Sequence, residues 1–307
     1  MIKKAVKPYS TLFQEFNLLV DEPMKNYTSF KVGGNADLLA LPEDSRQLKH
    51  LILKARKLGI PITLLGGGTN ILVSDKGIRG LVVITKQLKS KIDLIDTDSS
   101  TMTIIAGAGE RLSKICRFAI NNTLTGLEFA AGIPGTIGGA IKMNAGTKSS
   151  EMSTVVKSIE VLNHNTLELE TIEANLLNFS YRHLYLKGII VSAAITLKKG
   201  DQKQIEQIFK HHLNRKNASQ PVSFASAGCF FKNPARGSRS AGELIDRSGL
   251  KGMKVNGAAV SEKHGNFIVN LGDASCQDIL LLKEQIQKIV FEKFKIKLET
   301  EVRIAGE

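Results

Sequence analysis

The chain has 307 residues, of which 42% are hydrophobic and 23% are charged. This length is enough for two or three domains, and the composition excludes a disordered, collagen-like or disulfide-scaffold protein. The 42 Lys and Arg residues outnumber the 29 Asp and Glu residues, so the formal net charge is +13. Such a surplus predicts attraction to an anion, which could be a nucleic acid, a membrane surface or a phosphorylated small molecule.

The first clear element in the chain is an amphipathic helix over residues 43–59. Asp44 or Ser45 can cap its start and Gly59 can end it. A short apolar strand follows, then three glycines, then a second strand at Ile71–Val73. This order of strands, helix and glycine loop indicates a mixed architecture of helices and sheets.

From Met102 the pattern repeats, with a strand, a Gly107-Ala-Gly109 turn and a helix. Cys116 lies on the apolar face of that helix and is expected in the core. The turn stands where a dinucleotide-binding fingerprint would, but Leu112 replaces the third glycine, so a plain tight turn is the other interpretation.

Residues 127–146 hold the densest glycine cluster and show no helical or alternating period at their centre. We expect a structured loop there. Glycine-rich loops let backbone N–H groups converge on an anion, so this loop and the loop at 66–70 together predict a ligand with at least two phosphates. The first loop lacks the Gly-Lys-Ser/Thr ending of a P-loop, which argues against a nucleotide hydrolase. A purely structural glycine-rich turn is the alternative for the second.

Further strands are predicted at 159–163 and 188–197, and residues 202–217 indicate a basic helix that connects domains. The alternating NFIVN segment predicts another strand, and a long helix is expected over 275–294. Cys276 begins that helix and is interpreted as a packing residue. The chain ends in a short predicted strand at 298–304.

The three cysteines form no CxxC pair, and the six histidines show no HExxH spacing, so neither a disulfide framework nor a catalytic metal is predicted. No stretch approaches about 18 uncharged apolar residues, and the N-terminus has no cleavable signal pattern. A cytoplasmic protein is therefore expected.

Six further segments occur in a fixed order along the chain: TSFKVGG (28–34), LGGGTN (65–70), AGIPGTIGGAIKMNAG (131–146), YR (181–182), GCFFKNP (228–234) and LETEVRIAG (298–306). Together they resemble the UDP-N-acetylenolpyruvoylglucosamine reductases, flavoenzymes that complete UDP-N-acetylmuramate for bacterial peptidoglycan. The resemblance covers nearly the whole chain, and the combination is more specific than any single motif.

The resemblance implies an α+β fold of the vanillyl-alcohol-oxidase or PCMH type, in which two subdomains bind FAD and a smaller α+β domain binds substrate. It places the two glycine loops against the FAD. The implied ranges are an N-terminal segment at 1–27, an FAD-binding domain at 28–200 with subdomains near 28–90 and 91–200, and a substrate domain at 201–307 whose strand 298–304 returns to the active site.

The implied reaction has two halves. NADPH reduces FAD, and flavin N5 then gives hydride to C3 of the enolpyruvyl group while a proton arrives at C2. Hydride addition pushes negative charge onto the substrate carboxylate, so the site needs fixed donors there and an acid beside C2. The implied partners are NADPH and UDP-N-acetylenolpyruvoylglucosamine, with no nucleic acid and no membrane, and a monomer is expected.

Three residues match the catalytic positions of the family. Arg182 corresponds to the arginine that meets the substrate carboxylate, and Glu301 to the glutamate that stabilises or protonates the intermediate. Cys229 stands where many members have the serine that protonates C2; a thiol, with a reference pKa of about 8.5, is the stronger acid. The plainer interpretations are a solvated arginine, an ion pair of Glu301 with Arg303, and a redox-sensing cysteine.

Other candidates follow from the same segments. His264 is a candidate substrate ligand or a satisfied structural histidine. The substrate-binding candidates are Tyr181, Lys232, Asn233 and His264. The cofactor-binding candidates are Gly66, Gly67, Gly68, Thr69, Asn70, Gly132, Ile133, Pro134, Gly135, Thr136, Gly138, Gly139, Asn144 and Gly146.

An insertion that carries a substrate-covering tyrosine in some members is absent, because only about fifteen residues separate Arg182 from the end of the strand at Leu197. The chain therefore resembles the shorter type. Two other functions stay open: an FAD-dependent alcohol or sugar oxidase of the same fold, and a basic nucleic-acid-binding protein. The second is disfavoured because aromatic residues are only 6% of the chain and include no Trp.

Overall fold

The computed structural model describes residues 16–234 and 239–307, so most of the expected N-terminal segment lies outside the described residues. The α-helices are α1 (Ser45–Lys57), α2 (Leu112–Asn121), α3 (Ile137–Lys142), α4 (Gln202–Ser219), α5 (Ala241–Arg247) and α6 (Cys276–Phe294). The strands are β1 (Leu19–Pro23), β2 (Asn35–Ala40), β3 (Ile62–Leu65), β4 (Ile71–Val73), β5 (Ile78–Ile84), β6 (Asp93–Asp96), β7 (Thr101–Gly107), β8 (Leu124–Thr125), β9 (Val156–Asn163), β10 (Leu169–Glu173), β11 (Asn178–Ser180), β12 (His183–Tyr185), β13 (Gly188–Lys199), β14 (Lys254–Val255), β15 (Ala258–Val260), β16 (Ile268–Asn270) and β17 (Arg303–Ala305).

The chain forms two compact units, each built from separated segments. Unit 1 includes Leu39–Gly67 and Leu81–Lys216, and unit 2 comprises Leu19–Leu38, Gly68–Gly80 and Asn217–Glu307. The boundaries fall inside β2 and β5 and near the end of α4. The continuous domain ranges that the resemblance implies stay a prediction. No helix of the described residues is long and apolar enough to cross a membrane.

Unit 1 is organised around an antiparallel sheet in the order β10-β9-β13-β7-β6, with β8 also paired to β13. From Val191 to Leu197 of β13, buried and half-buried residues alternate, and the adjacent buried pair Ile190 and Val191 lies at a register shift against β9. The apolar face of α2 packs in the same core, and Cys116 is buried there as predicted. Unit 1 also contains β3 paired in parallel with β5.

Helix α1 matches its sequence prediction. The Asp44 carboxylate accepts a hydrogen bond from the Gln47 N–H at 2.7 Å, which satisfies one of the free donors at the helix start. Gly59 adopts a positive φ of 66° just after the last turn, as helix-ending glycines commonly do. The apolar stripe is buried, whereas Leu58 is 38% exposed.

The expectation of a loop throughout residues 127–146 is wrong, because α3 forms inside it. Thr136 caps α3 by accepting from the Gly139 N–H at 3.3 Å. The N–H of Gly138 donates to the carbonyl of Ala108 at 2.9 Å, and a Cβ on Gly138 would lie 2.7 Å from the Ala108 Cβ. Glycine is therefore required where the helix meets the preceding turn, and two adjacent glycines hide the helical period from the sequence.

Unit 2 contains the antiparallel sheet β14-β15-β16, and α6 packs in the same apolar core. The C-terminal strand is shorter than predicted and begins further along the chain. Only β17 pairs in parallel with β4, whereas Thr300 makes an isolated bridge with Phe231. Glu301 lies between these two pairings and not inside a strand.

The start of α6 is capped twice. Ser275 accepts from the Asp278 N–H at 3.0 Å, and the Asp278 carboxylate accepts from the Ser275 N–H at 2.9 Å. The Asp75 carboxylate accepts from the N–H groups of Cys276 at 2.7 Å and Gln277 at 2.9 Å. The Cys276 side chain is buried, as predicted for a packing residue.

Replacing Ser275 by alanine tests this capping. We expect Ser275→Ala to lower the free energy of unfolding by about 1 kcal/mol, because one side of the reciprocal cap is lost. Urea unfolding followed by far-UV circular dichroism measures the change. Ser223→Ala, at an exposed serine, is the control and should stay within about 0.5 kcal/mol of the parent protein. Equal effects in the two variants would contradict the capping role.

Candidate active site

Two glycine loops of unit 1 lie against each other. The residues after β3 meet the residues before α3, and a Cβ on Gly67 would lie 3.0 Å from the Gly135 Cα and 3.4 Å from the Thr136 nitrogen. A Cβ on Gly66 would lie 3.2 Å from the Thr136 Oγ1. The approach is therefore closer than alanine allows without movement.

The same contact leaves backbone donors available. Across residues 16–234 and 239–307, no hydrogen bond uses the N–H groups of Gly67, Gly135 or Thr136. Thr136 is only 4% exposed, and a buried N–H normally has a partner. Backbone N–H groups of glycine-rich loops can bind phosphate oxygens, so the loops fit the diphosphate of FAD. Neither loop needs a metal for this role.

Helix α4 covers the rim of the second loop. The Lys216 ammonium donates to the Gly132 carbonyl at 2.5 Å, and Gly132 has a φ of 69°. A Cβ on Gly132 would lie 3.1 Å from Lys216 Cδ. The sequence offered no signal for this lysine, because it is one of many on a basic helix.

The remaining residues of the first loop, 68–70, belong to unit 2. The carbonyl of Gly68 accepts from the Ser29 N–H at 2.9 Å, and that of Thr69 accepts from the Ser29 hydroxyl at 3.4 Å. The Asn70 amide donates to the Glu301 carbonyl at 3.1 Å. Asn70, predicted as a cofactor ligand, thus holds the backbone of a predicted catalytic residue.

Arg182 occupies the tip of the hairpin formed by β11 and β12. Ser180 pairs with His183, so Tyr181 and Arg182 are the two turn residues, and Arg182 has a φ of 57°. Its guanidinium donates to the Gly146 carbonyl at 2.9 Å and lies 4.9 Å from the Tyr181 ring centroid. Arg182 is half-buried and oriented, which differs from a freely solvated arginine.

In unit 2, the segment that contains Cys229 runs beside the C-terminal segment. The Glu301 N–H donates to the Phe230 carbonyl at 2.8 Å, and the Lys232 N–H donates to the Glu299 carbonyl at 2.8 Å. Cys229 is half-buried, whereas Phe230 is fully buried. The pairing therefore brings the predicted proton donor and the predicted glutamate onto neighbouring segments.

The substrate-binding candidates of unit 2 differ in their surroundings. Lys232 is partly exposed, with its ammonium 3.6 Å from the Glu299 carboxylate. The Asn233 side-chain oxygen accepts from the Ala241 N–H at 3.0 Å at the start of α5, so this oxygen has a structural partner. Their role in substrate binding stays a prediction.

His264 is half-buried beside α5. Its Nδ1 accepts from the Asn266 N–H at 3.2 Å, which leaves the proton on Nε2. Burial lowers the pKa of His264 below its ordinary value, and the nearby Lys251 lowers it further. The ring is therefore neutral near pH 7 and offers one N–H donor.

The comparisons with known proteins identify the family. The reductase named UDP-N-acetylenolpyruvoylglucosamine reductase from Caldanaerobacter subterraneus is 45% identical over 100% of this chain and 100% of its own length. The chain belongs to the UDP-N-acetylenolpyruvoylglucosamine reductase family. A reductase of the same name from Alkaliphilus oremlandii is 42% identical over 99% of this chain and 98% of its own.

Family models and a solved structure agree with that membership. The model for the C-terminal domain of UDP-N-acetylenolpyruvoylglucosamine reductase matches residues 220–305, and an FAD binding domain model matches residues 36–171. The crystal structure of the reductase from Thermus caldophilus superposes with a TM-score of 0.78 at 33% identity, covering 95% of this chain and 99% of that one. The expected α+β flavoprotein fold is confirmed, and the chain is an FAD-dependent oxidoreductase.

The contact between the glycine loops predicts how FAD binding responds to mutation. We expect Gly67→Ala to raise the FAD dissociation constant by at least about tenfold, because the added Cβ pushes the loops apart and covers their N–H groups. Flavin fluorescence during titration of the apoprotein measures this. Gly200→Ala, whose Cβ would meet only side-chain ends at 3.3 Å, is the control and should change the constant by less than about twofold. An FAD dissociation constant in Gly67→Ala equal to that of the parent protein would rule out FAD binding at the two loops.

The three thiols should differ sharply in reactivity. Burial raises the pKa of Cys116 to about 12 and that of Cys276 to about 11, with Glu128 and Asp75 adding to the respective shifts. At pH 8 their thiolate fractions are then roughly 10⁻⁴ and 10⁻³. We expect one rapidly reacting thiol per folded chain with an aromatic disulfide reagent, three after unfolding, and none rapid in folded Cys229→Ala. Rapid reaction of a second thiol would contradict the assignment.

Proposed function

We propose that this chain uses NADPH to reduce UDP-N-acetylenolpyruvoylglucosamine to UDP-N-acetylmuramate, with FAD bound at the two glycine loops. The observation that carries the proposal is the pairing in unit 2 that places Cys229 and Glu301 on adjacent hydrogen-bonded segments. An acid and a carboxylate on neighbouring segments suit protonation of a carbanion-like centre and are not required for simple alcohol oxidation. Family membership supports the same reaction.

When bound, FAD supplies a hydride from N5 to C3 of the enolpyruvyl group after NADPH has reduced it. Arg182 binds the substrate carboxylate in this proposal. The Gly146 carbonyl orients the guanidinium, and its fixed positive charge stabilises the negative charge that develops during hydride addition.

Cys229 then protonates C2. Its S–H bond breaks as the C2–H bond forms, and the resulting thiolate regains a proton from solvent. Glu301, whose backbone is held by both Phe230 and Asn70, is assigned to stabilise the intermediate. A thiol is a stronger acid than the serine hydroxyl that the resemblance implies at this position in many members. Proton transfer from the thiol therefore needs less stabilisation by neighbouring groups.

The uridine diphosphate end of the substrate needs cationic and donor groups. Lys232 supplies a partly exposed ammonium, and neutral His264 supplies its Nε2–H. Tyr181 contributes the exposed ring stacked on Arg182. We assign all three to substrate binding. The surplus of positive charge attracts both anionic substrates, and we propose a monomer that works in the cytoplasm.

Separate measurement of the two half-reactions tests the proposal. The purified protein should be yellow, lose its flavin absorbance on anaerobic addition of NADPH, and regain it on addition of UDP-N-acetylenolpyruvoylglucosamine. Cys229→Ser should retain turnover. Cys229→Ala should be reduced by NADPH at nearly the parent rate but lose reoxidation by substrate by about 10² to 10⁴-fold.

Two results would contradict this function. Normal turnover by Cys229→Ala would remove the thiol from proton transfer. Rapid oxygen consumption with a small alcohol, without NADPH consumption in the presence of the enolpyruvyl substrate, would instead indicate an oxidase.

A further inference from the structure

Asn144 follows the glycine-rich loop, and its position in the sequence suggested a cofactor ligand. Its side chain is fully buried, at 0% exposure. The Nδ2 group donates to the Ser180 carbonyl at 3.0 Å, and Oδ1 accepts from the Ser153 N–H at 3.0 Å. Both ends of the amide are therefore engaged within unit 1. The surrounding donor and acceptor also determine which way the amide faces.

The partner of that amide is the residue just before the hairpin tip. Ser180 ends β11, and Tyr181 and Arg182 follow it in the turn. The contact is reciprocal, because the Arg182 guanidinium donates to the Gly146 carbonyl at 2.9 Å and approaches the Asn144 carbonyl at 3.5 Å. The Asn144 side chain thus bonds the backbone of Ser180 just before the tip. In return, the Arg182 side chain at the tip bonds the backbone of Gly146, which follows Asn144 in the chain.

Neighbouring contacts join the same two segments. The Lys142 ammonium, at the end of α3, donates to the Leu184 carbonyl of β12 at 2.9 Å. Asn144 has a φ of 41°, which asparagine tolerates. Arg182 adopts a positive φ of 57°, which residues other than glycine, asparagine and aspartate keep mainly where the surroundings enforce it. A hairpin of two three-residue strands has few backbone bonds of its own to do so.

We propose that Asn144 is a positioning residue for Arg182 and not a ligand of the cofactor. The inference rests on the role of Arg182 in the proposed function. Asn144 orients the hairpin tip so that the guanidinium faces the substrate carboxylate, and it ties that orientation to the segment that directly follows the flavin loop. A small misplacement of an orienting group is enough to lower a rate by about 10²-fold.

Asn144→Gly is the informative variant, because glycine accepts the positive φ while losing both side-chain hydrogen bonds. We expect FAD affinity and flavin reduction by NADPH to stay within about threefold of the parent protein. Reoxidation by UDP-N-acetylenolpyruvoylglucosamine should slow by about 10 to 10²-fold, with a higher KM for this substrate. Asn144→Asp keeps the acceptor for Ser153 but loses the donor to Ser180, and should show the same pattern.

Asn256→Gly is the matched control. Asn256 also has a positive φ, 47°, and its amide donates to Asp278 at 2.7 Å within unit 2. This variant loses a comparable local contact and should leave both half-reactions at the parent rates, which separates general destabilisation from a specific effect on Arg182.

A double-mutant cycle tests whether Asn144 affects flavin reoxidation through Arg182. Arg182→Met should slow reoxidation, and adding Asn144→Gly to it should slow reoxidation by less than about twofold more. Independent, multiplicative effects would overturn the inference and leave the role of Arg182 intact. A tenfold weaker FAD affinity in Asn144→Gly, with normal reoxidation of the protein that retains FAD, would also overturn the inference, because it would identify Asn144 as a cofactor ligand. Normal reoxidation in Arg182→Met would overturn the proposed role of Arg182, and this inference with it.

Discussion

The close approach of two glycine loops in unit 1 is the constraint on which the proposed cofactor site depends. Gly67 lies against Gly135 and Thr136 at distances that a Cβ would fill, and Gly138 lies equally close to Ala108. Within the described residues, the N–H groups of Gly67, Gly135 and Thr136 have no backbone partner. The glycines of the loops therefore allow the close packing and leave donors that suit the phosphate binding proposed for the loops.

In unit 2, a second arrangement brings together residues that are far apart in the chain. Phe230, Glu301 and Asn70 are joined by backbone and amide hydrogen bonds, although more than two hundred positions separate Asn70 from Glu301. Fully buried phenylalanines beside Cys229 anchor the segment in the core of unit 2. The thiol is thus carried by a segment that is anchored by buried phenylalanines and by hydrogen bonds to the C-terminal segment, which suits the proton-donor role proposed for it.

The spacing of apolar residues predicted the elements that bury one face in the core. Helices α1 and α6 begin and end near the expected residues because capping residues and apolar stripes are local signals, and α2 buries the apolar face that was predicted for it. Helix α3 was missed because its adjacent glycines are selected by contact with another turn. The terminal strand was placed too early because its partner, β4, is remote in sequence. No local sequence pattern predicted the contacts that Asn144 and Lys216 make.

The sequence by itself determined the family, the α+β flavoprotein class and the glycine loops, because these depend on residue types in a fixed order. It also determined that Cys116 and Cys276 belong to apolar helix faces. Only the tertiary structure decided what each polar group contacts. The amide of Asn144 faces Ser180, and that of Asn70 faces Glu301. Hydrogen bonds between distant segments depend on how the chain folds back on itself, and no local spacing encodes them.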